Sequence, residues 1–178
     1  MQLFGAPIGS AAFGQNFSSG VLSKLKAIDE ALLGLDDAQI EFCLFRSCLG
    51  NVKIAHLLRV CNPATMGGVC AAFDERARSV LTRIIRDTAI PDMSWTQATL
   101  PSRLGGTAIT SAEIIKTAAF IASSVMTEQR VSELIQWDLA NLDRSYSTDA
   151  LLIHNAAWGS EHTLLSLSTK SKHPSDIE

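Results

Sequence analysis

The chain has 178 residues, of which 47% are hydrophobic and 19% charged, a balance that predicts one globular domain and argues against an intrinsically disordered protein. Its formal net charge of −3, from 15 basic and 18 acidic residues, argues against a domain that binds nucleic acid strongly on its own. No apolar run approaches the roughly 20 residues that span a bilayer, so we expect no membrane role.

The first ten residues predict a short extended segment followed by a turn, because Gly5, Pro7 and Gly9 interrupt any regular pattern. They lack the basic start and apolar run of a signal peptide, so we expect an intracellular protein of the cytoplasm or nucleus. The cysteines form no C-x-x-C pair and predict free, buried thiols in a reducing compartment. They are Cys43, Cys48, Cys61 and Cys70.

Two helices are predicted next. Apolar residues recur every three or four positions over 13–32, which indicates an amphipathic helix. Asp36 is a candidate N-cap for the following helix, with Gln39 as its reciprocal partner in a capping box. This second helix is expected to break or bend at 50–51 and to end before Pro63, since the residue preceding a proline disfavours helix.

Residues 69–87 carry the most regular amphipathic pattern in the chain, which predicts a helix with one buried face and one charged face. Residues 92–106 are expected to form a loop with one helical turn near Trp95, because proline and glycine punctuate the segment. The apolar face of the amphipathic helix consists of Val69, Phe73, Ala77, Val80, Leu81, Ile84 and Ile85.

Further helices are predicted in the last third of the chain. Thr110 with Glu113 matches a capping box, and Thr127 is a candidate N-cap for another helix. A last short helix is expected over 148–158, followed by a flexible tail over 160–178. The apolar stripe that follows the capping box consists of Ile114, Ala118, Ile121 and Val125.

The fold class predicted from these segments is all-α. We expect an irregular array of about six helices, with a short extended N-terminal segment and a flexible C-terminal tail. The order of the helices along the chain suggests antiparallel neighbours.

Paired carboxylates at Asp36 and Asp37 are the main candidate for metal chemistry, since polymerases hold two metal ions through such pairs. Their position just before a helix favours a capping role instead, because acidic groups are stabilised at a helix N-terminus. The histidines show no paired spacing with cysteine that would suit zinc and are expected at the surface. They are His56, His154, His162 and His173. We predict no catalytic residue, no metal site and no cofactor.

Several segments, taken in order, resemble one family. The matching segments are 3–9, 35–39, 45–48, 57–59, 73–74 and 95–106. The last, W-T-Q-A-T-L-P-S-R-L-G-G, is the most specific. Together they resemble the region that follows the polymerase core in reverse transcriptases of non-LTR, LINE-like retroelements. The resemblance covers residues 3 to 125, and the family pattern continues with Leu-Gly-Leu where this chain has Thr107, Ala108 and Ile109.

This resemblance implies a helical thumb and connection that holds template and primer. The family's catalytic aromatic-x-Asp-Asp motif lies upstream of the matching region, so no catalytic residue is carried over. The chain would be a fragment of an RNA-directed DNA polymerase without its palm, a retroelement remnant. Its partners would be an RNA–DNA hybrid or the polymerase core of the parent enzyme. The motif residues expected to have structural roles are Gly5, Pro7, Gly9, Trp95, Leu100, Pro101, Gly105 and Gly106.

The candidate contacts to the nucleic-acid backbone are Lys24, Lys26, Lys53, Arg76 and Arg83. For the arginines, a solvated and salt-bridged helix face is the competing interpretation. The expected organisation is a thumb-and-connection-like region over 1–126, additional helices over 127–159, and the tail. The alternative function is a helical protein–protein interaction module with no nucleic-acid role.

Overall fold

The computed structural model describes residues 1–3, 5–7, 9–135 and 145–158. The helices in these residues are α1 Ala11–Leu33, α2 Ala38–Leu44, α3 Ala55–Val60, α4 Pro63–Ile84, α5 Asp92–Ala98, α6 Ala112–Ile135 and α7 Ser145–Trp158. The shorter elements are β1 Gln2–Leu3, β2 Ala6–Pro7, a π-helical turn Phe45–Leu49, and 3-10 turns at Asn51–Lys53 and Ser102–Leu104. The prediction of an all-α fold is confirmed.

The N-terminal segment is a minimal antiparallel hairpin. Gln2 pairs with Pro7 and Leu3 with Ala6, and Gly5 reverses the chain with a φ of 81°. The sequence predicts the extended segment but not the hairpin. Strands of two residues are too short to produce the alternating pattern by which strands are recognised. β2 packs against α1 and α3, so the hairpin lies beside the first helices.

α1 and α4 run parallel to each other along the middle of the fold. Ser18 on α1 contacts Met66 on α4, with the hydroxyl 3.9 Å from the sulfur, and further along Asp29 meets Arg76. Near the end of α1, Leu32 joins the same apolar cluster as Val80. Chain order suggests antiparallel neighbours, but the intervening α2 and α3 return the chain so that this central pair is parallel.

Three apolar clusters form the core of the described residues. The first joins α1, α3, α4 and the start of α6, and its members include Leu25, Ile54, Leu58, Phe73 and Ala112. The second joins the end of α1, the π-helical turn, the end of α4 and the loops that follow, and includes Leu32, Phe45, Leu49, Leu81 and Ile109. A small third cluster, Phe120, Ile121 and Ala150, packs α7 on α6.

α4 begins at Pro63, earlier than the expected start near Val69. Asn62 caps it by accepting a hydrogen bond from the Ala64 amide at 2.9 Å, and proline suits the first helical position because its missing N–H is not needed there. The predicted apolar face is confirmed except for Ile85, which is 52% exposed. The buried members are Val69, Phe73, Ala77, Val80, Leu81 and Ile84.

Asp37, and not Asp36, caps α2. Its carboxylate accepts hydrogen bonds from the Gln39 and Ile40 amides, both at 3.0 Å. Asp36 lies outside the helix with a φ of 52°, and its carboxylate is 3.0 Å from the Arg86 guanidinium. The predicted cap is therefore displaced by one residue, because the turn after α1 places Asp36 toward the end of α4.

The start of α6 differs from the predicted capping box at Thr110. The N-terminal position is occupied by Ser111, and the cap comes mainly from another helix. Asp74 on α4 accepts hydrogen bonds from the Ser111 hydroxyl at 2.5 Å, the Ala112 amide at 2.7 Å and the Glu113 amide at 3.2 Å. The Ser111 hydroxyl oxygen accepts a further hydrogen bond from the Ile114 amide at 3.2 Å. A carboxylate distant in sequence therefore shares the capping of α6 with a local residue one position after the predicted one.

α6 continues through Thr127, which was expected to start a new helix. The Thr127 hydroxyl instead donates to the Ser123 carbonyl at 2.8 Å, within the same helix. The predicted boundary at 126 thus lies inside α6, and the predicted stripe is rotated, since Ile114 and Val125 are exposed. The buried residues of α6 are Ala112, Thr117, Phe120, Ile121 and Glu128.

The last predicted helix is confirmed as α7, whereas the expected tail over 160–178 lies outside the described residues. His154 on α7 is buried, with its Nδ1 atom 3.3 Å from the Thr117 hydroxyl, which corrects its expected surface position.

The cysteines also differ from the prediction that all four are buried. Cys43 and Cys48 are exposed, Cys61 is half-buried and Cys70 is buried. Burial raises the pKa of the Cys61 thiol, and burial, with help from the Glu113 carboxylate, raises the pKa of Cys70 to about 12.

Candidate nucleic-acid interface

Three of the five cations expected to contact nucleic acid line one groove between α1 and α4. They are Lys26, Arg76 and Arg83, and the groove has a volume of about 560 Å³. Lys24 on α1 and Lys53 in the first 3-10 turn are exposed but do not line it. The structure therefore divides the candidate contacts among separate surfaces.

Arg76 is occupied by contacts inside the protein. Its Nε and Nη2 atoms donate to the two carboxylate oxygens of Asp29 at 2.6 and 2.5 Å, and Nη1 donates to the Leu49 carbonyl at 3.1 Å. The guanidinium also lies over the rings of Phe45 and Phe73, 5.6 and 5.2 Å from their centroids. Only 10% of the side chain is exposed, so Arg76 is a structural residue and is not available to a phosphate.

The remaining charges of the groove balance one another. Lys26 and Arg83 share it with Glu30 and Glu75, and all four side chains are exposed. A phosphate entering the groove would meet two carboxylates as well as two cations. The groove is therefore a mixed surface and lacks the positive excess that backbone binding needs.

A second, more basic surface lies on the 3-10 turn Asn51–Lys53 and α3. We call it the basic face and define it as Lys53, His56 and Arg59. The three residues are spaced by three positions and are all exposed, whereas Leu57 and Leu58 on the other side of α3 are buried. Residues three positions apart are neighbours on a helix surface, so His56 lies between Lys53 and Arg59 and next to each of them. The face spans roughly 10 Å along the chain axis.

The electrostatics of the basic face follow from its sequence surroundings. No aspartate or glutamate occurs between Glu41 and Asp74. Neither Lys53 nor Arg59 forms an ion pair with any described residue. The N-terminal hairpin borders the face, since a Cβ atom at Gly5 would lie 3.8 Å from the His56 ring. Donors with this arrangement suit phosphate oxygens.

Sequence reasoning identified Lys53 but missed His56 and Arg59. The signal was present, because a stretch of the chain without acidic residues can be found by inspection.

The most specific family segment forms a compact loop between α5 and α6. The Thr107 amide and hydroxyl donate to the Ala98 carbonyl at 3.0 and 2.7 Å, and the Ala108 amide donates to the Leu100 carbonyl at 3.0 Å. Gly105 has a φ of 80°, and a Cβ atom at Gly106 would lie 2.0 Å from the Leu100 carbonyl oxygen. Both glycines are therefore required by the path of the loop.

Ala108, two residues after Gly106, also has a positive φ. Its φ is 60°, a left-handed conformation that alanine adopts at a cost of roughly 1–2 kcal/mol. This is the position at which the family pattern has a further glycine. The backbone at Ala108 therefore has a conformation that glycine favours.

The other motif residues lie in or beside packed elements. Pro7 belongs to β2, and Gly9, with a φ of 143°, precedes α1. Trp95 on α5 is half-buried and packs on the second apolar cluster, and Pro101 immediately precedes the 3-10 turn Ser102–Leu104. These residues therefore have structural positions: a strand, a turn, a positive φ or packing on the core.

The candidate metal-binding pair has other contacts, since Asp37 caps α2 and Asp36 faces Arg86. Among the described residues, no group of three or more histidine, cysteine, aspartate or glutamate side chains is placed to hold a metal ion. In the same parts of the chain, every helix falls short of the length and apolar character needed to traverse a bilayer.

Comparison with protein-family models, with curated proteins and with solved structures returns no match for this chain.

Proposed function

We propose that this chain is a non-catalytic helical module of the kind that follows the palm in reverse transcriptases of non-LTR retroelements. In this role it binds the phosphate backbone of an RNA–DNA template–primer hybrid through the basic face. The observation that carries the proposal is the exposure of Lys53, His56 and Arg59 on one side of a segment without acidic residues. The polymerase chemistry would belong to another part of the parent enzyme.

The loop between α5 and α6 supports the family part of this proposal. A coincidental match would not be expected to fall on residues that the backbone requires. Here Gly105 has a positive φ, Gly106 has no room for a side chain, and Ala108 keeps the left-handed conformation. The family pattern has glycine at all three positions.

The charge distribution supports the binding part. The net charge of −3 predicts weak attraction between the chain as a whole and nucleic acid. A local basic surface supplies the complementary group without changing that total, and because the contacts are few we expect weak, salt-sensitive binding. Such a module would work with a polymerase core that holds the hybrid more strongly.

Binding of the full chain to a fluorescein-labelled RNA–DNA hybrid, followed by fluorescence anisotropy over a series of salt concentrations, tests the proposal. The double variant Lys53→Ala, Arg59→Ala removes two phosphate contacts. Each contact contributes about 0.9 to the slope of log K against log salt, so the slope should fall by about 2.

The matched control is Lys26→Ala, Arg83→Ala, which removes the same charge from the groove. We expect this control to bind the hybrid with nearly the wild-type slope. If the groove variant loses the slope and the basic-face variant keeps it, the interface is the groove. If the wild-type chain shows no binding at low salt, the proposed function is wrong. Magnesium-dependent primer extension by the chain alone would contradict its non-catalytic character.

A second candidate function is attachment to a protein, such as the polymerase core of a parent enzyme. It is favoured by Leu35 and Ile85, which are 51% and 52% exposed. Their chain neighbours Asp36 and Arg86 form an ion pair with a distance of 3.0 Å. Leu35→Ser, Ile85→Ser should abolish protein attachment and leave hybrid binding unchanged, which separates the two candidates.

A further inference from the structure

His56 differs from the other two members of the basic face in the way its charge depends on pH. Lysine and arginine stay charged at every pH near neutrality, whereas histidine is the side chain that ordinarily changes charge between about pH 5 and pH 8. His56 is exposed and lies between Lys53 and Arg59. The basic face therefore carries two cations in mildly alkaline solution and three in mildly acidic solution.

The His56 ring is available to a ligand. No described residue forms a hydrogen bond or an ion pair with its imidazole. The ring borders the N-terminal hairpin, since a Cβ atom at Gly5 would lie 3.8 Å from Cδ2 and 3.9 Å from Nε2. Because position 5 is a glycine, no side chain from this position covers Nε2.

The elements packed against α3 bring no unpaired carboxylate to His56 within the described part of the chain. These elements are β2, α6 and the 3-10 turn Asn51–Lys53. The strands of the hairpin contain no acidic residue, and the titratable group of the hairpin is the Met1 amino group. The first two turns of α6 contain Glu113 and Lys116, which pair with each other at 2.5 Å. A proton on His56 therefore adds an uncompensated positive charge to the basic face.

We propose that His56 makes nucleic-acid binding at the basic face depend on pH, because its protonated ring supplies a third phosphate contact. The inference rests on the proposed function. A phosphate bound beside the ring favours the protonated form, since a nearby opposite charge stabilises the charged state. By linkage, protonation of the ring strengthens phosphate binding to the same extent.

The size of the effect follows from the release of counterions by one added contact. Such a contact steepens the slope of log K against log salt by about 0.9. At a salt concentration of about 0.1 M, this change in slope corresponds to binding that is about eightfold tighter. Affinity for the hybrid should therefore increase by about eightfold between pH 8 and pH 5.5, and the salt dependence should steepen over the same range.

The test measures binding of the full chain to the RNA–DNA hybrid by fluorescence anisotropy at pH 5.5, 6.5 and 8. The hybrid carries tetramethylrhodamine, because the emission of fluorescein itself changes over this range. His56→Ala should bind at every pH with the affinity that the wild-type chain has at pH 8. His56→Lys should bind at every pH with about the wild-type affinity at pH 5.5, because lysine keeps its charge. Circular dichroism of both variants should match the wild-type chain, since the position is exposed.

Proton uptake supplies a measurement that does not depend on the salt slope. Calorimetric titration at pH 6.5 in two buffers of different ionisation enthalpy counts the protons that are taken up on binding. The wild-type chain should take up a fraction of a proton per hybrid bound, and His56→Ala should lose this uptake.

The possible results separate this inference from the proposed function. A wild-type chain that binds in a salt-dependent way, but equally well at pH 8 and pH 5.5, would overturn the inference and leave the proposed function standing. A His56→Ala variant with the full wild-type pH dependence would do the same, because another group would then be responsible. If the chain binds no hybrid at low salt at any of the three pH values, the proposed function is wrong and the inference falls with it.

Discussion

Replacing Arg76 with alanine is expected to destabilise the protein more than any exposed substitution. The guanidinium makes two hydrogen bonds to Asp29 and one to the Leu49 carbonyl, and it lies over the rings of Phe45 and Phe73. The side chains of Arg76 and Asp29 are only 10% and 4% exposed. The substitution would leave a buried carboxylate and a backbone carbonyl without their donor.

Removing one partner of a buried ion pair costs about 3–5 kcal/mol, chiefly because the remaining charge stays buried without compensation. The ring contacts and the lost hydrogen bond to Leu49 act in the same direction. Arg76→Lys keeps the charge but loses the two-pronged geometry, so an intermediate cost is expected. The double variant Asp29→Leu, Arg76→Met leaves no unpaired charge and should be much closer to wild type than Arg76→Ala.

The assay is urea denaturation followed by circular dichroism, with the free energy of unfolding extrapolated to water. Arg83→Ala, an exposed arginine on the same helix, is the control and should change stability by no more than about 0.5 kcal/mol. A loss below about 1 kcal/mol for Arg76→Ala would refute the reasoning, since a buried pair is worth more than that. A double variant as unstable as Arg76→Ala would refute it as well, since burial of an unpaired charge would then not be the cause.

Three further tests concern the loop, the start of α6 and a buried thiol. Gly106→Ala should lower the free energy of unfolding in urea by several kcal/mol or abolish stable folding, because the added Cβ would lie 2.0 Å from a backbone oxygen. Ala108→Gly should raise it by roughly 0.5–1 kcal/mol, because glycine adopts the left-handed φ of this position without strain. Equal effects of the two variants would contradict the loop geometry. Asp74→Ala should lower the free energy of unfolding by about 2 kcal/mol, near the upper end for a helix cap, because Asp74 caps α6. Replacement of the exposed Glu75 by alanine should leave the free energy of unfolding almost unchanged in the same assay. Stability should also fall as the pH rises from 9 toward 12, by up to about 1.4 kcal/mol per pH unit for Cys70. The fold raises the pKa of that thiol from its ordinary value of 9.0 to about 12, so the unfolded form loses its proton first. A Cys70→Ala variant with an equally steep decline in urea titrations at pH 8, 9 and 10 would contradict this assignment.

The sequence predicts those features of the fold that depend on local periodicity. The apolar face of α4 from Val69 to Ile84 is buried as expected, because a 3.6-residue repeat directly specifies one side of a helix. Cap positions are less predictable. Several adjacent polar residues can cap a helix, and the turn before α2 selects Asp37 over Asp36. The Thr127 hydroxyl donates to a carbonyl of its own helix. A residue type that often caps helices therefore lies inside a helix here and does not mark its start.

Contacts between residues distant in sequence are beyond sequence reasoning. No local sequence pattern marks Arg76 as the partner of Asp29. Only the fold shows that Arg76 forms this buried ion pair and is not available to a phosphate. The same holds for Asp74, whose role depends on the placement of α6. The basic face is the opposite case, because its lack of acidic neighbours is a property of the sequence itself.

The attachment of α6 to Asp74 has a consequence for local motion. The first amides of a helix usually exchange their protons rapidly, because they bond only to water or to a nearby side chain that frays with them. Here the Ala112 and Glu113 amides bond to a carboxylate in the middle of α4. Their deuterium uptake requires the two helices to separate, so these amides report on the opening of the first core cluster, and not on the fraying of one helix end.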